Sequence, residues 1–205
     1  MSTLDVTAGW TSVLDIKRSI SVSTAQKLRF ASMVNKRIRE AWLSADPSQL
    51  YSTSTVSVVS GTSSYALPSD FDTSKDEGTG LFFVDTNSKQ TDNKLILTGF
   101  GSASAGYYID STNIILTPEP ASTQTYTLRY IADLAVFSDL TDTFVVDDTY
   151  LELVRAGLLH QYEIFDRNPA GEAEAEQRFT FLLEEFIDNV AKTPNIFIDT
   201  TPNTF

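Results

Sequence analysis

The chain has 205 residues, room for one domain of ordinary size or two small modules sharing a core. Lys and Arg total 15 against 27 for Asp and Glu, a formal net charge of −12 that argues against a groove built to neutralise nucleic-acid phosphates. With no cysteine, disulfides, thiolate metal sites and cysteine nucleophiles are excluded, and the single histidine, His160, excludes a His-rich metal centre. The longest apolar runs span only a few residues and the N-terminus is polar, so neither a membrane-spanning helix nor a signal peptide is predicted; a soluble, intracellular protein is expected.

The charge is unevenly spread. Residues 1–50 carry seven basic side chains against four acidic ones, whereas the remaining residues carry eight basic against 23 acidic. Such asymmetry suggests two surfaces with different partners, or one molecule whose ends complement a neighbour's. Ser and Thr supply 29 of the 93 residues from 51 to 143. Together with aromatic and β-branched residues, that is the composition of solvent-facing antiparallel sheet.

Residues 1–23 are ambiguous, with a short helix expected around Trp10 to Ile16. A helix is predicted from Thr24 to Ala45. Thr24 serves as its N-cap, and Leu28, Ala31, Val34, Ile38, Trp42 and Ala45 recur on one stripe at steps of three and four. Arg29, Lys36, Arg37 and Arg39 fall outside that stripe, and Pro47 stops the helix.

From Thr55 to Ile131 the period changes to two. Val56/Val58, Leu81/Phe83, Leu95/Leu97, Tyr108/Asp110, Ile114/Leu116 and Tyr126/Leu128/Tyr130 read as short strands. The best-defined hairpin joins Tyr107–Ile109 to Ile114–Leu116 across Asp110-Ser111-Thr112-Asn113. Six or so short strands are most economically arranged as an antiparallel β-sandwich or small barrel.

Helix returns at Asp147/Asp148, where carboxylates favour the positive end of a helix dipole. Leu151, Val154, Leu158 and Phe165 form one apolar line, widened by Leu153, Gly157 and Ile164. Asn168-Pro169 opens a last helix with Phe179, Leu182, Leu183, Phe186 and Val190 inward, leaving Glu172, Glu174, Glu176, Glu184, Glu185 and Asp188 for the outside. Residues 192–205 read as an extended arm around Ile196-Phe197-Ile198.

The expected fold class is α+β. Residues 1–50 and 144–191 supply the helices of one bundle, 51–143 an inserted β-module, and 192–205 the C-terminal arm.

Little in the chain points to catalysis. His160 lies in a strongly apolar helix and no G-x-S-x-G elbow accompanies it, so a helix-surface or satisfied interface histidine is the expectation. Gly99-Phe100-Gly101 lacks the Lys-Ser/Thr of a phosphate loop. Turn chemistry explains the paired carboxylates Asp70/Asp72, and helix capping explains Asp147/Asp148, so neither pair requires a metal. The module's aromatic residues (Phe82, Phe83, Phe100, Tyr107, Tyr108, Tyr126, Tyr130) could form a sugar-binding platform, but core packing is the stronger reading. A non-enzymatic protein with no metal and no cofactor is expected.

Three stretches carry a resemblance. Phe30 to Trp42, with Val34-Asn35 leading to the aromatic Trp42, resembles the N-terminal helix of tailed-bacteriophage head-to-tail connector proteins, the portal adaptors of the neck. Tyr65-Ala66-Leu67-Pro68-Ser69-Asp70-Phe71 is similar to their Y-x-L-P-x-D-F turn. Tyr108-Ile109 through Asn113–Pro120, then Tyr126–Tyr130, resembles their hairpin and following strand, and the acidic entry Asp142–Asp148 with Tyr150 and the next helix continues the match. The likeness covers residues 30–165 and leaves the first twenty-odd residues and the arm outside it.

The resemblance implies a structural virion protein, assembled in the host cytoplasm. Such a protein forms a ring, usually of twelve copies, that attaches to the portal, extends the DNA channel without binding DNA specifically, and docks the next tail component. On that basis Pro194, Ile196, Phe197, Ile198 and Phe205 are candidate contacts to the portal or a neighbouring subunit. Glu172, Glu174, Glu176, Glu184 and Glu185 are candidate channel-facing acids, although a solvated outer face is an equal reading. Arg29, Lys36, Arg37 and Arg39 are candidate contacts to an acidic neighbouring subunit. The rival reading is a receptor- or carbohydrate-binding β-module of a tail appendage.

Overall fold

The amphipathic stripes and the two-residue periods become four helices and nine short strands in a computed structural model, which describes residues 3–17, 21–45, 50–72, 80–84, 90–95, 106–110 and 112–192. The chain divides into two units, residues 1–48 with 135–205, and residues 49–134. The class is α+β.

In the helical unit, strand β1 (Thr3–Asp5) pairs antiparallel with β9 (Thr143–Asp147). Helix α1 (Val6–Leu14) begins directly afterwards because the Asp5 carboxylate accepts from Ala8 N at 2.7 Å. Leu140 O and Asp142 O accept from Thr7 N and Val6 N, each at 3.0 Å, tying the start of α1 to the 135–143 segment. Helix α1 buries Val6, Trp10 and Val13, and the Trp10 indole donates to Lys27 O at 3.1 Å.

Helix α2 (Thr24–Ala45) has the predicted bounds but a different cap. Ser23 Oγ accepts from Gln26 N at 3.3 Å while Gln26 Oε1 accepts from Ser23 N at 3.0 Å, a reciprocal capping box one residue before Thr24. Phe30, Ala31, Val34 and Ile38 are buried. Two polar side chains of α2 hold distant backbone: Asn35 Oδ1 accepts from Val145 N at 2.8 Å and Ser32 Oγ from Phe137 N at 3.0 Å.

A 3-10 turn at Asp148–Tyr150, capped by the Asp147 carboxylate on Thr149 N, leads into α3 (Leu151–Asp166). Arg167, with φ 55° in the left-handed region, ends α3, and α4 (Pro169–Lys192) follows. Gly157 lets α3 pack closely on α2 and α4, since a Cβ there would lie 2.7 Å from Val34 Cγ1 and 3.0 Å from Phe179 Cε2. Leu4, Trp10, Val34, Ile38, Phe144, Val154, Leu158, Phe179 and Phe186 belong to the continuous core of this unit. Ile164 and Phe165, expected on the apolar line of α3, are exposed.

One buried carboxylate locks the turn between α3 and α4. Glu163 is 2 % exposed, pairs with the ammonium of Lys17 and accepts from Asn168 Nδ2 at 2.8 Å. Gly171 leaves room for this cluster, because a Cβ would come within 2.5 Å of both Glu163 Oε2 and Asn168 Nδ2.

The second unit holds two antiparallel sheets. One contains β2 (Tyr51–Val58), β4 (Gly80–Val84), β5 (Gln90–Leu95) and β8 (Gln124–Ile131) in the order β2-β8-β4-β5. The other contains β3 (Ser64–Ala66), β6 (Gly106–Asp110) and β7 (Asn113–Thr117) in the order β3-β7-β6. The predicted hairpin is β6–β7, paired from Gly106↔Thr117 to Asp110↔Asn113. Val56 and Val58 of β2, Tyr107 of β6, Ile114 and Leu116 of β7, and Tyr126, Leu128 and Tyr130 of β8 join one hydrophobic cluster. The two sheets therefore share a core, and neither closes into a barrel among the described residues.

Candidate functional site

The charged candidate residues lie on two helices of the helical unit, α2 and α4. Along α2, Arg29, Met33, Lys36 and Glu40 are exposed and follow one another at steps of three and four, so they share one outward face. Lys36 and Glu40 form an exposed i,i+4 pair at 3.9 Å, too solvated to add much stability. Arg37 turns inward at the edge of this face, its guanidinium 4.8 Å from the centre of the Phe179 ring. Arg39 corrects the sequence expectation. It is 8 % exposed and buried with the core face, where a neighbouring subunit would not reach it.

On α4 the candidate acids do not form a single face. Glu174, Glu184 and Glu185 are exposed together with Asp188, on the side opposite the buried Phe179 and Phe186. Glu172, by contrast, is half-buried. Glu172 and Glu176 instead make their fields felt at His160 on α3. Phe181 stands among the outward acids at 64 % exposure. With Glu184, Glu185, Asp188 and Asn189 it lines a shallow groove. Arg178, the cation of this stretch, is directed to Glu152, its Nη2 donating to Oε2 at 3.2 Å. Pro194, Ile196, Phe197, Ile198 and Phe205 lie outside the described residues.

His160 is buried rather than on the helix surface. Burial lowers its pKa by disfavouring the charged ring, and the Arg37 charge acts in the same sense, while Glu176 and Glu172 oppose them. Its Nδ1 has no hydrogen-bond partner among the described residues.

The paired carboxylates have structural partners. Asp70 Oδ1 accepts from the Tyr130 hydroxyl at 2.9 Å, and Asp147 caps the 3-10 turn. Sequence reasoning missed a third acidic loop at 138–142. There Asp142 Oδ2 accepts from Ser138 N and Asp139 N, and Asp139 Oδ1 from Thr141 N and its hydroxyl. Backbone donors hold both carboxyls below the usual range, led by Thr141 N for Asp139 and by Asp139 N for Asp142. The signal was the Asp-x-x-Asp spacing after a serine, which reads equally as ordinary turn chemistry. Among the described residues no group of three or more His, Asp and Glu side chains is placed to hold a metal ion. Nor is any helix among them long and apolar enough to cross a membrane.

The Tyr65–Phe71 motif is a clasp within the β unit. The Tyr65 hydroxyl accepts from Val59 N at 3.0 Å and lies 2.7 Å from Thr62 O, closing the turn before β3. Leu67 N donates to Thr112 O at 2.8 Å, beside the β6–β7 hairpin. Phe71 bridges to Ala132 and stacks on Tyr130 with ring centres 5.7 Å apart. The motif thus joins the three-stranded sheet to the end of β8. Of the aromatic residues considered for a sugar platform, Tyr107, Tyr126 and Tyr130 are core residues and Tyr108 is half-buried. The side chains of Phe82, Phe83 and Phe100 are outside the described residues.

An α+β subunit with a mixed-charge outward face on α2 and an acidic one on α4 is the setting in which its relatives are to be read. The sequence profile of a family described as SU10 adaptor protein matches residues 10–196. The chain belongs to this family of phage head–tail adaptors and is a structural component of the virion neck. The match also takes in residues 10–29 and reaches past α4, further in both directions than the 30–165 likeness in the sequence. None of the curated proteins searched matches the chain.

Proposed function

We propose that twelve copies of this chain form a closed ring attached to the portal, prolonging the DNA channel and docking the next tail component. Within each copy the helices act as a bundle and the two sheets sharing a core act as a sandwich. The observation that carries the reading is the bias of charge by element in a member of the adaptor family: Arg29 and Lys36 against Glu40 on the outward face of α2, carboxylates alone on that of α4 around Phe181. Non-identical faces that differ in charge suit head-to-tail packing of copies into a ring.

A net charge of −12 lets DNA pass without condensing on the wall, since binding would require cations to displace the counterions. In this reading the chain has no catalytic residues, no cofactor and no membrane contact, and assembly takes place in the host cytoplasm. Glu172, Glu174, Glu176, Glu184 and Glu185 of α4 are the candidate acids for the channel side. The arm containing Pro194, Ile196, Phe197, Ile198 and Phe205 grips the portal or the adjacent subunit.

Electron microscopy of purified portal mixed with the full chain is expected to show an added twelvefold ring. Truncation after Lys192 is expected to leave a folded protein that no longer joins the portal. Unimpaired assembly of the truncated chain removes the arm from the proposal. A chain that ignores the portal and binds glycans overturns the ring reading in favour of a receptor-binding appendage.

A further inference from the structure

The outward faces of α2 and α4 each carry an apolar residue that the helical unit leaves uncovered. Met33 is 46 % exposed between Arg29, Lys36 and Glu40, and Phe181 is 64 % exposed between Glu174, Glu184, Glu185 and Asp188. A single exposed phenylalanine is ordinary on a protein surface, but this one lines a groove with Glu184, Glu185, Asp188 and Asn189. It is suited to an interface, where an aromatic anchor inside a polar rim contributes most of the binding.

The two faces also complement each other in charge. Arg29 and Lys36 flank the methionine, with Glu40 at the C-terminal end of the face, and carboxylates surround the phenylalanine. They cannot meet within one copy. The inward sides of the same helices pack together, with Trp42 of α2 edge-on to Phe186 of α4 at 5.2 Å and Arg37 over Phe179. Each outward face therefore points away from that shared core.

We propose that the groove beside Phe181 on α4 receives the Met33 face of α2 from a second copy of this chain, with Arg29 and Lys36 of that copy set against Glu184, Glu185 and Asp188. The contact is heterologous, different patches on the two copies, so it repeats from one subunit to the next. This rests on the ring proposed above and names the surfaces that build it. It also removes the C-terminal half of α4 from the channel wall.

The chain has no cysteine, so introduced thiols report without background. The test oxidises portal-bound assemblies of full chains carrying M33C, F181C or both. A mixture of the single variants is expected to give M33C–F181C dimers, and the double variant a ladder of covalent oligomers. Rings that form without these cross-links, or that join like to like, overturn the interface while leaving the ring intact. Cross-links within open chains support the interface and overturn closure. A wild-type chain that forms no assembly on the portal overturns the ring and this contact with it.

Charge exchange gives a second readout, independent of the thiols. R29E/K36E is expected to reduce assembly roughly tenfold or more through like-charge contact, and E184K/E185K on the same chain to restore it. Failure of the quadruple variant to recover, with circular dichroism showing all variants folded, also counts against the interface.

Discussion

The two units use their polar side chains in opposite ways. In the helical unit Ser12, Asn35, Arg39, His160 and Glu163 are buried, whereas the β unit buries no polar or charged residue other than tyrosine among those described. Helices satisfy their own backbone, so helices remote in sequence are joined by packing and by a few side chains that reach across, as Asn35 does to Val145 N and Glu163 to Lys17 and Asn168. Strands are joined by their backbones, and in the β unit side chains add contacts at the turns and edges, Tyr65 to the 59–62 turn, Ser60 to Ala121 O and Tyr130 to Asp70. A unit locked from inside by polar contacts can keep its outer helix faces for partners. A unit whose aromatics fill its own core has fewer to offer.

The sharpest way to break this contrast is to remove a core side chain from each unit. Phe179→Ala is expected to destabilise the helical unit by about 3–5 kcal/mol and Leu128→Ala the β unit by about 2–5 kcal/mol. Hydrogen exchange would show protection falling mainly in the unit that carries the change. Uniform loss throughout the chain would mean that the two do not respond separately.

Glu163→Ala is expected to cost about 3 kcal/mol in denaturant unfolding, because Lys17 and Asn168 lose their common acceptor at a buried site. An equal cost from removing an exposed acid such as Glu174 would erase the distinction between locked interior and surface. Tyr130→Phe, which removes one hydroxyl from Asp70, is expected to cost about 1 kcal/mol, with the loss confined to the β unit.

The smallest effect is on pH dependence. His160 has a folded pKa below its ordinary 6.5, so the neutral ring favours the fold. Its contribution is complete above that ordinary value and is lost as pH falls through the folded pKa. Asp139 and Asp142, also lowered, contribute above their ordinary 3.8 and lose that contribution as pH falls through their folded values. Thermal melts from pH 7 downwards should decline first through the histidine window, and His160→Asn should flatten that first step alone. A melting temperature that rose on mild acidification would contradict both signs.

Much of the helical architecture was legible because it rests on local rules. The stripe from Ala31 to Ile38, the stop before Pro47 and the break at Asn168-Pro169 each depend on residues a few positions apart. The β6–β7 hairpin was legible for the same reason. Strands β1 and β9 were not, because three and five residues carry too little periodicity and their pairing joins positions about 140 apart in the chain. The cap at Ser23 was missed because Thr24 offers the same chemistry one position later.

Among the candidate residues, charge and helical spacing placed Arg29 and Lys36 correctly on the outside of α2. The same logic failed for Arg39, whose long side chain is drawn in beside Asn35 on the core side of the helix. Glu172 and Glu176 looked equivalent to Glu184 and Glu185 because all are acids on one helix. Only the packing of α3 against α4 brings the charges of the first pair to bear on His160, with Glu172 half-buried and Glu176 exposed. Phe181 went unnoticed because a phenylalanine in an amphipathic helix ordinarily belongs to the core.

By itself the sequence determined the α+β class, the order of helices and sheets, the adaptor likeness and the surplus of negative charge. These follow from composition and short-range spacing. Only the tertiary structure decided which charges lie inside, that the Tyr65–Phe71 motif is a clasp, and that an apolar residue stands at the centre of each charged face. Those depend on which side of each element the rest of the chain covers, and that is settled by contacts between residues far apart in sequence.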